Sequence, residues 1–85
     1  MEISFTKSFL RDYEDLPPNL KDRVKKAILK LASDIEHPSL RVHKMKGRSN
    51  VWEARVTDGY RMTFSREEGT LIMRRVGPHD ILKKI

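Results

Sequence analysis

The chain is 85 residues and 10.0 kDa, with no cysteine, 18 Lys/Arg against 12 Asp/Glu and a net charge of +6. That length reads as one domain over residues 1–85, able to bury only roughly 60% of the surface its unfolded chain exposes, and the lack of cysteine excludes disulfides and thiolate metal sites as its support. The start MEISFTKSFLRD lacks the apolar run of a signal peptide and no later stretch is long enough to span a bilayer, so a cytoplasmic location with no membrane partner is expected.

Charge is unevenly placed. Residues 1–40 hold seven Lys/Arg against seven Asp/Glu, whereas residues 41–85 hold eleven against five. A basic excess is often a matter of solubility alone; gathered on one module it also suits an anionic partner, nucleic acid or an acidic protein.

In chain order, residues 2–6 alternate polar and apolar as a half-buried strand does, with Ile3 and Phe5 inward. Thr6 or Ser8 caps a first helix through Phe9, Leu10 and Tyr13, and Leu16-Pro17-Pro18 breaks it. From 19 to about 36, Leu20, Val24, Ala27, Ile28, Leu31, Ala32 and Ile35 fall at helical spacing and form one apolar stripe, with Lys21, Lys25, Lys26, Lys30 and Asp34 on the remaining positions. The stripe is expected to pack on a sheet and the basic side to be solvated, contact with nucleic acid being the alternative. His37-Pro38 ends this helix, since a residue before proline is pushed out of the helical region.

Residues 40–46 read as a strand and 47–50 as its turn. Three antiparallel strands follow over 51–57, 60–65 and 70–76. For Trp52, Ala54 and Val56 to share a face with Tyr60, Met62 and Phe64, Val56 must lie opposite Tyr60, which selects the three-residue connection Thr57-Asp58-Gly59 with a positive φ at Gly59. The same reasoning pairs Phe64 with Leu71 and Met62 with Met73 around residues 66–69, and leaves Arg75 at the apolar edge beside the Tyr60 ring. Glu53, Arg55, Arg61, Thr63, Ile72 and Arg74 then occupy the other face, with Arg55, Arg61 and Arg74 side by side. Like charges opposed across strands are destabilising, so such a row points to an anionic occupant. Gly77-Pro78-His79-Asp80 turns sharply, and 81–85 is a tail or one helical turn. The expected fold is α+β: an N-terminal strand and a two-helix hairpin packed on a mostly antiparallel sheet of about four to five strands.

Two segments, WEARVTDGYRMTF over 52–64 and RVGPHD over 75–80, with the basic, glycine-ending stretch 40–47 before them, resemble the RelE/ParE superfamily of toxins from type II toxin-antitoxin pairs. The resemblance spans nearly the whole chain. It implies one of two activities: RelE-like members cleave mRNA on the ribosome, and ParE-like members inhibit DNA gyrase without cutting RNA; a catalytically inactive basic binding module is the remaining alternative. It implies a cognate antitoxin in either case, its acidic or amphipathic segment wrapping the toxin and folding as it binds.

RNA cleavage through the ribose 2′-OH needs a base for that hydroxyl, cations for the pentacoordinate phosphate, and an acid for the departing 5′-oxygen. No cofactor or metal is required where arginines supply the charge. By the resemblance, Arg61 matches the arginine assigned to the scissile phosphate, Arg55 a second arginine of the motif, and His79 the basic or imidazole group after the last strand. Histidine titrates near neutrality and suits acid or base work; the plainer role is a turn histidine bonded to backbone. Glu53, the single carboxylate on the arginine face, is a candidate base or a structural partner of Arg55. Lys44 and Lys46 are candidate phosphate ligands, substitutes for the acid or base, or solvated edge lysines, and Arg74 completes the row. His43 and His37 have no partner at metal-ligand spacing and are read as non-functional. The chain departs from many ribonuclease members in lacking a tyrosine near its C-terminal Ile81-Leu82-Lys83-Lys84-Ile85, and in carrying Val51 and Glu53 where some have lysines. His79 with Glu53 is the candidate replacement.

Overall fold

The computed structural model describes residues 1–84. Its elements run β1 (Glu2–Phe5), α1 (Lys7–Glu14), α2 (Pro18–Ser33), a 3-10 turn (Pro38–Leu40), β2 (His43–Lys44), β3 (Trp52–Arg55), β4 (Tyr60–Glu67), β5 (Thr70–Pro78) and a C-terminal 3-10 turn (His79–Lys83). The five strands form one sheet in the order β1-β5-β4-β3-β2, with β1 parallel to β5 and every other pair antiparallel. This is the expected α+β architecture.

Both helices begin where local chemistry dictates. Thr6 Oγ1 accepts the Phe9 amide at 3.0 Å and donates to the Arg74 carbonyl at 2.9 Å, so one hydroxyl caps α1 and ties it to β5. Pro18 occupies the first turn of α2, where a missing N–H costs nothing. Val24, Ala27 and Leu31 of α2 and Phe9 of α1 are buried with Ala54, Met62, Phe64, Leu71, Met73 and Val76 of the sheet, and Leu20, Ile28, Ile35 and Trp52 pack around them. Phe5 does not turn inward as expected. It sits at the open end of β1, 43% exposed, and lays its ring against Phe9 with centroids 5.4 Å apart.

Three local expectations change for physical reasons. Helix α2 stops at Ser33 rather than Glu36, because Asp34 is extended and forms its own turn, its carboxylate accepting the Glu36 amide and its carbonyl the His37 amide. Leu40 closes a 3-10 turn, and only His43 and Lys44 of the expected 40–46 strand enter the ladder. The β3–β4 hairpin keeps the expected alignment, Arg55 opposite Arg61 and Val56 bonded to Tyr60, yet Gly59 has no positive φ.

The β4–β5 hairpin is two residues tighter than expected. Glu67 pairs with Thr70 across Glu68-Gly69, with Gly69 at φ 69° supplying the left-handed turn residue, and Phe64 lies opposite Met73 instead of Leu71. A bulge then falls between Thr63 and Phe64, so Met62 meets Val76. The extra residue in β5 lets Met73 and Val76, three apart, both face the core. It also parts the two neighbouring arginines. Arg74 reaches Ser65 Oγ, and Arg75 leaves the expected place beside Tyr60 to grip Asp12 of α1.

Candidate functional site

Strand alternation sends Glu53, Arg55, Arg61 and Thr63 to the face opposite the helices, since Ala54, Met62 and Phe64 take the core side. Arg55 and Arg61 are direct cross-strand neighbours. Each charge is met locally. Arg55 Nη2 bonds the Asp58 carboxylate at the hairpin tip. Arg61 Nη1 donates into the hairpin, to the carbonyls of Thr57 at 2.5 Å, Asp58 at 2.9 Å and Tyr60 at 3.1 Å, while its Nε lies 3.4 Å from Glu53 Oε1. The row is therefore less bare than the sequence suggests, and Arg61 Nη2 is the nitrogen without a protein partner among the described residues.

Glu53 is the hub of this face. Its side chain is only 12% exposed, and its second oxygen lies 3.1 Å from His43 Nε2, whose Nδ1 is 3.1 Å from the Arg41 carbonyl. The Arg41 carbonyl and the Glu53 carboxylate flank the His43 ring at its two nitrogens and fix its orientation. One carboxylate thus joins an imidazole on the edge strand to a guanidinium two strands away.

His43 is the residue that sequence reasoning set aside. A four-residue turn over 47–50 would put Lys44 opposite Glu53; the observed register is one residue different, with His43 opposite Glu53 and Lys44 opposite Trp52. The cause is Asn50, held at φ 51°, whose amide bonds both the N–H and the carbonyl of Arg66 and so extends the β3–β4 ladder with a side chain. Its pairing with Arg66 was the signal available in the sequence, and it is visible only after the β3–β4 register is known.

The other candidates are spread more widely. His79 donates its backbone N–H to the Gly59 carbonyl at 2.9 Å, which places the C-terminal turn against the Arg55–Arg61 hairpin with the His79 side chain in solvent. Arg74 sits towards the far end of the face beside Ser65 and is not adjacent to Arg61, which lies opposite Gly77. Lys44 stands on the helix-covered side with Trp52, and Lys46 is exposed in the loop after β2. Glu53, Arg55, Arg61 and the unforeseen His43 come together, His79 borders them, and Arg74, Lys44 and Lys46 do not join.

Part of this face is closed over. Gly77 pairs with Arg61, and a Cβ on Gly77 would meet the Ile81 side chain at 3.4 Å, so the C-terminal turn packs Ile81 beside the arginines. Ile81 and Val51 are both buried yet lie outside the main core, and Thr63 on the arginine face is fully buried. Thr63 Oγ1 and Arg74 Nε are each buried without a hydrogen-bond partner among the described residues. Among the described residues no group of three or more His, Asp or Glu gathers as a metal site, and no helix is long and apolar enough to cross a membrane.

Comparison with known proteins places this geometry in a family. The model of the family described as ParE toxin of type II toxin-antitoxin system, parDE, matches residues 3–82. No curated protein matches the chain. Among solved structures the chain is similar to RelE in the RelB-RelE antitoxin-toxin complex of Methanococcus jannaschii (24% identity, TM-score 0.71, 94% of each chain covered). It is similar to YafQ from Escherichia coli BL21(DE3) (14%, TM-score 0.78, 95% of this chain and 96% of that one) and to a YoeB/ParE toxin from Agrobacterium tumefaciens (19%, TM-score 0.77, 93% and 99%). These structural likenesses establish the fold, and the family match over nearly the full length establishes more: the chain belongs to the ParE toxins of type II toxin-antitoxin systems, within the RelE/ParE superfamily.

Proposed function

We propose that this toxin is a ribosome-dependent mRNA endoribonuclease acting through the ribose 2′-OH, and that residues 1–85 form its single toxin domain. The observation that carries the reading is the chain of contacts His43–Glu53–Arg61 with Arg55 directly opposite Arg61. It supplies an acceptor for a proton and two cations side by side on one face, and this supports reading that face as the one that takes the scissile phosphate. In the proposed reaction Glu53 takes the 2′-OH proton as the 2′-oxygen bonds to phosphorus. Arg61, through its free Nη2, and Arg55 hold the phosphate oxygens. The bond from phosphorus to the 5′-oxygen breaks and His79, at the rim of the cluster, returns a proton to that oxygen, leaving a 2′,3′-cyclic phosphate. Lys44, Lys46 and Arg74, remote from the cluster, would serve only RNA outside the reacting step.

A cognate antitoxin is the expected protein partner. The M. jannaschii neighbour is a toxin bound to an antitoxin, and the excess positive charge of residues 41–85 suits an acidic segment laid over the arginine face.

A second reading has its own observation. Arg61 Nη1 is spent on three hairpin carbonyls, as a structural arginine would be, and the matching family model is that of ParE. Both suit a gyrase inhibitor without nuclease activity. Mapping mRNA 5′ ends after brief induction, wild type beside Arg61→Ala and His79→Ala, separates the two. New ends inside reading frames that vanish in both variants support the nuclease. Growth arrest with intact mRNA and inhibited supercoiling supports gyrase and removes the catalytic roles given above.

A further inference from the structure

On the helix-covered side of the molecule a groove of about 720 Å³ runs between α2 and the β3–β4 hairpin. Its walls carry Arg23, Lys26, Lys30, Arg41 and Arg55 against a single carboxylate, Asp58. Asp58 is taken by Arg55, and Lys26 has the exposed Asp22 at 3.4 Å. Arg23, Lys30 and Arg41 have no ion pair among the described residues. Cations converging on one concavity repel each other and focus a positive field into it, so the groove is matched to a polyanion. Arg23, Lys26 and Lys30 follow one side of α2 over roughly 10 Å at 1.5 Å per residue, a line of charge rather than a point.

A second hollow of about 480 Å³ adjoins the first, the two sharing Pro38 and Arg41. It is lined by Trp52, with the guanidinium of the exposed Arg66 lying 4.8 Å from the ring centre, by His37 and by one exposed carboxylate, Glu36. A positive groove leading to an aromatic plane is how proteins hold single-stranded nucleic acid, the cations following phosphates and the ring stacking a base. An acidic peptide would use the charges and leave the indole idle. Arg41, at the junction, is held at φ 46°, a conformation that is costly for a side-chain-bearing residue. Arg55 lines the groove and also faces Arg61 across the strand pair.

We infer that this groove is a second nucleic-acid contact, in which single-stranded RNA leaves the cleavage face at Arg55, lays its phosphates along Arg41, Lys30 and Arg23, and stacks a base on Trp52 in place of the Arg66 guanidinium, which swings out to a phosphate. The inference rests on the RNA reading of the opposite face for its choice of strand, but its test does not depend on cleavage. Trp52 is the sole tryptophan, so its emission reports the hollow directly.

The experiment titrates the full chain with a short 2′-O-methyl oligouridylate, which has no 2′-OH to cleave, at several salt concentrations. Saturable quenching of Trp52 emission is expected. In the double variant Arg23→Glu/Lys30→Glu, affinity should fall about tenfold or more and the log-log salt slope should shrink by about 1.4, as two phosphate contacts predict for a single strand, with thermal unfolding unchanged. Binding without a change in Trp52 emission, an unchanged affinity in the double variant, or displacement by polyglutamate as effectively as by the oligonucleotide would overturn the site, the last in favour of an acidic peptide. A chain that cuts no mRNA but binds the oligonucleotide through Arg23 and Lys30 keeps this site and loses the nuclease reading. One that cuts mRNA but shows no quenching loses this site alone.

Discussion

Asp12 of α1 holds Arg75 of β5 through two parallel bonds, Oδ2 to Nε at 2.7 Å and Oδ1 to Nη2 at 3.0 Å, and its Oδ2 also accepts the Val76 amide at 3.1 Å. The side chains are 15% and 23% exposed. This is the clamp that fastens the first helix to the strand at its bulge. The hydrogen bond to Asp12, aided by its charge, raises the Arg75 pKa above its ordinary value against the opposing effect of burial.

Asp12→Ala leaves a largely buried guanidinium and a backbone N–H without partners, and should cost about 2–3 kcal/mol in urea unfolding. A raised folded-state pKa contributes stability that is complete below the unfolded value and is lost only as pH climbs past it. The gap between wild type and Asp12→Ala should therefore stay constant from neutral pH up to about 10. Asp58→Ala breaks an ion pair whose carboxylate is 92% exposed, and should cost less than about 1 kcal/mol.

The two hairpins should answer differently to the same substitution. Gly69 sits at φ 69° in the Glu68-Gly69 turn, so Gly69→Ala forces a left-handed alanine and should destabilise by about 1 kcal/mol. Gly59 has ordinary φ and nothing within 4 Å of an added Cβ. Gly59→Ala should be neutral or stabilising by about 0.5 kcal/mol through the unfolded chain. Thermal melts of the pair check this.

That contrast shows where the sequence was readable. Alternation fixes which residues share a face, and it placed Arg55 opposite Arg61 because a one-residue error would have turned Met62 out of the core. It is blind to a shift of two, and so the β4–β5 hairpin was drawn too wide. The bulge had a signal, Met73 and Val76 three apart in one strand, but Arg74 and Arg75 between them gave no hint which would find Asp12, 63 residues away in sequence. His43 depended on a two-residue strand whose register is set by the Asn50 side chain. The groove was hidden by averaging: residues 1–40 are neutral in sum, yet Arg23, Lys26 and Lys30 fall on one side of α2 beside Arg41 and Arg55.

If Glu53 takes the proton, Glu53→Gln should lower mRNA cleavage by about 100-fold or more, as for loss of a general base. Its stability should stay within about 2 kcal/mol of wild type, since the amide can still bridge Arg61. His43→Ala removes an exposed neighbour that touches one oxygen of Glu53. Its effect should be smaller, about tenfold or less, because the carboxylate remains. Equal losses in both, measured by single-turnover cleavage on programmed ribosomes, would place the proton transfer on His43 instead.

Thr63 offers a substitution that should stabilise the toxin. Its Oγ1 is buried with no partner among the described residues, and a buried hydroxyl without a hydrogen bond costs free energy that a methyl of the same size does not. Thr63→Val keeps the β-branched shape that suits a strand and should gain about 1 kcal/mol, a rise of about 4–8 °C in melting temperature for a domain of this size. Thr63 stands directly opposite Glu53 on the arginine face, so the same variant also asks what that face does. Unchanged toxicity with a higher melting temperature identifies the hydroxyl as a packing defect. A higher melting temperature with lost toxicity assigns the hydroxyl a role on the arginine face beyond packing.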